Sequence, residues 1–322
     1  MKNFQCSCGQ TLFFENTKCL NCGEDVGFDP LTFTMGPVGA RTICQNRIDF
    51  DVCNWFVSKP GAKYCVSCEL NQMIPNLLEP NRRRWWKNLE NAKRRLMYSL
   101  ISLGLPVASK QDDENGLAFQ FIEDKRTNPD VLEEHVNTGH SNGLITINIA
   151  EADEVSREIS RQYTGELYRT LLGHFRHESG HYYYHLLVER DNRLEEFREL
   201  FGDERQDYNE AIERYYANRA SMVKDPEMIS HYAQSHPLED WAEVWSHYLH
   251  MVDTLDTASE YGMQQGSTHW DDIDELTGKW SELTIMLNSL NRSMGLEDAY
   301  PFILSELTLK KLRFVHGLIY PS

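Results

Sequence analysis

The stretch Gly173–Val188 reads GHFRHESGHYYYHLLV and carries four of the chain's 12 histidines. Within it, His177, Glu178 and His181 spell H-E-x-x-H. Residues four apart on an α-helix lie one above the other, so both imidazoles would face one point. That spacing suits a zinc ion, with Glu178 beside the zinc-bound water. Zinc lowers the pKa of such a water toward about 7, and an adjacent carboxylate can take its proton. His174 and His185 lie near the same face, but a helix offers only two neighbouring imidazoles to one tetrahedral ion. His185 would stand about 6 Å further along the axis than His181. Both are expected to line the wall of the site or to support its ligands.

A catalytic zinc needs a third protein ligand and an open fourth position. The donor is expected in HYAQSHPLEDWAEVWSHYLH, His231–His250, where His236-Pro237 opens a helix carrying Glu239 and, one turn on, Glu243. Glu239 is assigned to the metal. Glu243 is assigned to a hydrogen bond that fixes the tautomer of a ligand imidazole, the swap being the alternative. Trp241, Trp245 and Tyr248 are expected to pack on the helix's other faces. His247 and His250 read as wall residues, His247 being able to reach the cleft. Gly180, inside the motif, costs about 1 kcal/mol of helix propensity against Ala, which implies that something passes close to the helix there.

All 8 cysteines lie within the first 68 residues. The opening MKNFQCSCGQTLFF lacks the apolar stretch and cleavage site of a signal peptide, so a cytoplasmic location is expected and the cysteines point to metal rather than disulfides. Cys6 and Cys8 form one knuckle and Cys19 and Cys22 another, with TLFF and ENT between them reading as strand and turn. This is a zinc ribbon. Cys44, Cys53, Cys65 and Cys68 are expected to form a second four-cysteine site, the alternatives being ligands interleaved across the two blocks or a site that binds metal poorly. Four thiolates leave no open position, so both zincs are read as structural. The cofactor set expected is therefore one catalytic and two structural Zn²⁺.

The formal net charge of -17 argues against a nucleic-acid binder, because most of the surface would repel a phosphate backbone. No run approaches the roughly 18 apolar residues of a membrane span. One basic segment, NRRRWWKNLENAKRRL (Asn81–Leu96), reads as an amphipathic helix with Trp85, Leu89 and Leu96 toward a core and its cations in solvent. The helix should run within Asn76–Pro106 and stop at Gly104 and Pro106. SKQDDENG (Ser109–Gly116) is a polar boundary. GLITINIA (Gly143–Ala150) is the best strand, and is read as the edge along which an extended peptide could add, an interior strand being the alternative. From Glu151 the chain is mostly helical, with breaks near Gly165, Gly202, Asp225-Pro226 and His236-Pro237.

The H-E-x-x-H helix followed by an E-x-x-x-E helix resembles the gluzincin group of zinc metallopeptidases. CGQTLFFEN, KRRLMYSLISLGLP, GLITINIAEAD, RTLLGHFRHESGHYYY, LFGDERQDY and HPLEDWAEVWSHYLH together resemble a bacterial family of zinc-binding metallopeptidases with an N-terminal zinc-ribbon region, over nearly the whole chain. The resemblance implies a hydrolase without naming its substrate. A more distant likeness, to lethal-factor-like gluzincins, implies an oxyanion-stabilising tyrosine about two helical turns before the glutamate ligand. Tyr232 holds that position here. A phenol donor suits a tetrahedral intermediate.

These readings converge on an α+β, mostly helical chain: a zinc-ribbon module over 1–75, a linking amphipathic helix over 76–108, and a zincin-like domain with a short sheet over 109–322. The expected function is a zinc-dependent metallopeptidase acting on a peptide or protein, with the ribbons recruiting a partner or substrate. The alternative is a catalytically silent zinc-ribbon protein that recognises a protein or nucleic acid.

Overall fold

In the computed structural model, which describes residues 1–164, 166–264 and 270–321, the chain forms two compact units. One comprises Met1–Ser160 with Thr170–Phe175, the other Arg161–Arg169 with Arg176–Ser322. Packing thus groups the cysteine blocks, the long helix and the sheet together, across the boundaries read at 75 and 108. The break read near Gly165 lies outside the described residues.

The first unit opens with two antiparallel hairpins, β1 (Phe4–Gln5) with β2 (Thr11–Leu12) and β3 (Val26–Asp29) with β4 (Thr34–Pro37). Gly9 and Gly23, directly after the cysteine pairs, have φ of +83° and +76°, a turn conformation that costs glycine nothing. A short helix α1 (Gln45–Phe50) and a strand β5 (Asn71–Met73) follow. Phe14, Phe28, Trp55 and Tyr98 form the aromatic core here, with Phe14–Phe28 and Phe28–Trp55 centroids each 5.0 Å apart.

Helix α2 (Pro80–Ser102) starts on Pro80, whose missing N–H is no loss in a first turn, and Gly104 at φ +69° follows its end. Its inner face differs from the amphipathic reading. Leu89 and Leu96 are buried as expected, but the fully buried tryptophan is Trp86, and Trp85 is half-buried. Arg82, Lys93 and Arg94 are buried too, rather than in solvent. Each has a partner that offsets its desolvation. Arg82 pairs with Glu123 at 2.6 Å, Lys93 with Glu90 at 3.0 Å, and Arg94 donates to the Val52 carbonyl at 2.6 Å.

The main sheet adds β6 (Ala118–Ile122), β7 (Gly139–Ser141) and β8 (Leu144–Asn148) in the order β5-β6-β8-β7. β6 runs parallel to both β5 and β8, and β7 is antiparallel to β8. The strand expected at the substrate-side edge is therefore interior. Ile145 and Ile147 of β8 are fully buried, and its backbone pairs on both sides.

Helix α3 (Glu154–Thr164) leads toward α4 (Leu171–Tyr184), which widens into one π-helical turn at His185–Glu189. The second unit continues with α5 (Leu194–Phe201), α6 (Tyr208–Asn218), a 3₁₀ turn at Tyr232–Gln234, α7 (Pro237–Glu260), α8 (Ile273–Ser293) and α9 (Glu306–Ile319). Gly202 follows α5, and His236-Pro237 opens α7, where those breaks were read. α7 is the core of this unit and packs against α5, α8 and α9. Trp241, Trp245 and Tyr248 are all fully buried on it, in the packing role expected. Asp240 of α7 and Lys311 of α9, both buried, pair at 2.5 Å. Among the described residues, no helix is long and apolar enough to cross a membrane.

Candidate functional site

Helix α4 carries His177, Glu178 and His181, and α7 carries Glu239 and Glu243. The two helices meet at Gly180. A β-carbon there would fall 2.9 Å from Ala242 Cα and 3.1 Å from Trp245 Cδ1, so the glycine permits the close approach that its place in the motif implied. The contact is pinned by two indoles, Trp241 Nε1 donating to the Gly180 carbonyl at 2.7 Å and Trp245 Nε1 to Ser179 Oγ at 3.1 Å. Arg176 and Asp253 add an ion pair at 2.5 Å between the same helices.

This crossing brings the two imidazoles to the carboxylates. His177 Nε2 lies 2.9 Å from Glu239 Oε2, and His181 Nε2 lies 3.5 Å from Glu239 Oε1. Bonds of about 2.0–2.2 Å from zinc to nitrogen and oxygen place tetrahedral ligand atoms roughly 3.3–3.5 Å apart, so these donors fit that ion after small adjustment. On the other side of the His177 ring, Nδ1 lies 2.8 Å from Glu243 Oε1. The imidazole is thus oriented from behind while its Nε2 faces the shared point.

Burial alone would lower the His177 pKa, but hydrogen bonds to Glu239 and Glu243 outweigh it and raise the group well above the usual histidine value. Burial also opposes ionisation of Glu239, yet the charge and hydrogen bonds of His181 and His177 hold its pKa well below the carboxylate norm. Glu178, between the two histidines in sequence, is buried. Tyr232 reaches the same place. Its ring centroid lies 5.9 Å from that of His177, and burial with the charges of Glu239 and Glu178 raises its phenol well above 10. It therefore remains a donor.

One residue of this site escaped the sequence reading. Tyr208, the first residue of α6, donates its hydroxyl to Glu239 Oε1 at 2.6 Å. The residue as a whole is exposed, but desolvation of its hydroxyl, followed by the charge of Glu239, raises its pKa as well. Nothing in the spacing of Tyr208 signalled the contact, because it depends on which loop brings the start of α6 beside the start of α7.

The other histidines of these two helices have partners of their own. His174 pairs with Glu151 at 3.0 Å, and His185, half exposed, bonds Glu189 within the π turn. His247 is buried against Tyr300 Oη at 2.7 Å, and burial pushes its pKa down to about 4. His250 sits among Trp280, Tyr300 and Tyr168, with centroids 5.3–5.7 Å away.

Both cysteine quartets also assemble as read, with no interleaving. Cys6, Cys8, Cys19 and Cys22 converge on one point, Cys44, Cys53, Cys65 and Cys68 on another. Zn–S bonds of about 2.3 Å put tetrahedral sulfurs about 3.8 Å apart. The Cys6–Cys22 separation is 3.6 Å, Cys8–Cys19 is 3.7 Å, and Cys53–Cys65 is 3.7 Å. These are ligand spacings, far longer than a disulfide bond of about 2.05 Å. Among the described residues, the His177–His181–Glu239 group is the third such convergence, and it holds three ligands rather than four.

Residues 81–318 match the model of a family described as "Putative zinc-binding metallo-peptidase", and residues 3–79 match that of a zinc-ribbon domain. An uncharacterized protein of Mycobacterium bovis and two from Mycobacterium tuberculosis strains are each 39% identical over 333 aligned positions, covering 99% of this chain and 95% of theirs. No solved structure matches the chain.

Proposed function

The chain belongs to the zinc-binding metallo-peptidase family and carries a zinc-ribbon domain before it, and from that premise we propose that it hydrolyses peptide bonds. The observation that carries this reading is the ligand number. His177, His181 and Glu239 converge as a set of three, whereas each cysteine group has four. A structural zinc closes its shell with four protein ligands, and a catalytic one keeps a position for water or substrate. His177, His181 and Glu239 would hold the metal, and Glu243 would fix the His177 ring from behind. Zinc at this site would supply a Lewis acid that polarises a carbonyl and acidifies water.

The chain's own residues then divide the remaining work. Glu178, buried and between the two histidines in sequence, takes a proton from the attacking water and returns it to the leaving amine. Tyr232, kept protonated by its surroundings, donates to the oxyanion as the carbonyl becomes tetrahedral. The substrate is a peptide or protein, and the cysteine module recruits it or a partner. The quartets keep structural zinc, since four thiolates leave no open position.

Two variants test the reading. Elemental analysis of wild type should find three zincs per chain, and His177→Ala should hold two. Glu178→Gln should keep all three metals and lose about 10²–10⁴-fold in cleavage of a quenched peptide library. Undiminished cleavage by Glu178→Gln would sink the mechanism.

A further inference from the structure

Glu239 presents its two carboxylate oxygens to different partners. Oε2 faces His177 Nε2 at 2.9 Å, while Oε1, 3.5 Å from His181 Nε2, also accepts the Tyr208 hydroxyl at 2.6 Å. That phenol is not a casual neighbour. Asp207 caps α6 by accepting from the Glu210 N–H at 2.9 Å, which sets Tyr208 on the helix's first turn. The Tyr208 ring packs edge-on against His236, with centroids 5.2 Å apart. His236 is itself fixed at both nitrogens. Nδ1 accepts from the Leu238 N–H at 3.1 Å, and Nε2 donates to the Gln206 carbonyl at 3.2 Å. The start of α6 and the start of α7 are thus tied together on either side of the Tyr208–Glu239 bond.

A carboxylate can bind a metal through one oxygen or both. Binding through both would fill a position that a reacting carbonyl or water needs. We propose that Tyr208 is a positioning residue whose hydrogen bond competes with the metal for Oε1 of Glu239 and so confines this ligand to its other oxygen. The inference rests on the metallopeptidase reading above and adds to it the device that keeps the coordination shell open. Tyr208 acts through Glu239, and its ring, buttressed by His236, holds that arrangement before any substrate arrives.

The test replaces only the hydroxyl. Tyr208→Phe keeps the ring against His236 and removes the donor. In both proteins the cysteine quartets retain zinc, and the third site is emptied with a mild chelator and loaded with cobalt(II). Cobalt d–d absorption weakens as coordination rises from four to five, because geometry governs the intensity. The variant is expected to show this band reduced about twofold or more, as Glu239 closes on the metal with both oxygens. A band of wild-type intensity overturns the role of Tyr208 and leaves the peptidase reading intact. Failure of the variant alone to bind cobalt also overturns it, in favour of simple support of the ligand. Failure of wild type to bind cobalt beyond its two zincs defeats the peptidase reading itself.

Discussion

Gly180 of α4 and Ala242 of α7 are so close that a β-carbon on the glycine would lie 2.9 Å from the alanine Cα. This contact sets the spacing at which His177 and His181 meet Glu239. Gly180→Ala would gain about 1 kcal/mol of helix propensity and lose about 1–3 kcal/mol to overpacking, because the obstructing atom is backbone that cannot rotate away. The variant should therefore melt lower, by about 2–4 °C for each net kcal/mol, and should lose metal from the third site before either quartet does. Thermal melts with metal counts check this. A melt at or above the wild-type temperature with three metals retained would mean that the crossing yields freely.

Glu243 lies 2.8 Å from His177 Nδ1, on the side of the ring away from Glu239. Removing such a partner of a metal-ligating histidine commonly costs about 10–100-fold in metal affinity. Glu243→Ala should weaken zinc at the third site by that factor, measured by competition with a chromophoric chelator. The pH dependence gives a second reading. His177 must be neutral to ligate, and its two carboxylates raise its pKa. Wild-type affinity should therefore fall as pH drops below that raised value. With Glu243 gone, the pKa moves down and the fall begins at lower pH. An unshifted acid limb would exclude Glu243 as the source.

Much of this site was legible in the sequence, because its logic is local. The four-residue step from His177 to His181 and from Glu239 to Glu243 needs only helical geometry, and Gly180 betrayed the crossing through its poor propensity. The missed features are all nonlocal. Tyr208 gains its role from a loop that returns α6 to the mouth of α7. Arg82, Lys93 and Arg94 read as solvent-facing because cations usually are, yet Glu123, Glu90 and the Val52 carbonyl wait for them inside. Trp85 and Trp86 differ by only 100° of helix rotation, too little for periodicity to choose between them. β8 alternates like an edge strand, but Gly139–Ser141 adds one more strand outside it.

The two cysteine quartets should release metal at different rates. Cys8 and Cys22 are exposed, whereas Cys44, Cys53, Cys65 and Cys68 are all buried. Arg94, buried beside the second quartet, places a positive charge near Cys53, Cys68 and Cys65. Four thiolates on a divalent ion leave two excess negative charges, and a buried guanidinium offsets one. A chelator should therefore strip the Cys6–Cys22 quartet first. Arg94→Met should speed loss from the second quartet and leave the first unchanged. Time-resolved metal release from Cys6→Ser and Cys65→Ser backgrounds separates the two sites, and equal rates in wild type would contradict the argument.

Asp124 gives a stability prediction whose sign is fixed by its partners. Its side chain is fully buried and accepts from the Val136 N–H at 3.0 Å, the Arg126 N–H at 3.0 Å and Asn148 Nδ2 at 2.6 Å, with the Arg126 guanidinium also paired to it. Burial opposes ionisation, but Arg126 and the other donors prevail and hold the pKa well below the unfolded value of 3.8. A depressed pKa means that the folded state binds protons less readily than the unfolded one. The contribution of Asp124 is thus fully present above about pH 4 and is lost as pH falls toward the folded pKa. Asp124→Asn keeps the volume but turns an acceptor toward donors as an amide, and should cost about 1–3 kcal/mol at neutral pH. Urea unfolding at several pH values should show the gap between wild type and variant closing below pH 4. A gap that stays constant into acid would mean that Asp124 holds its loop through shape rather than charge.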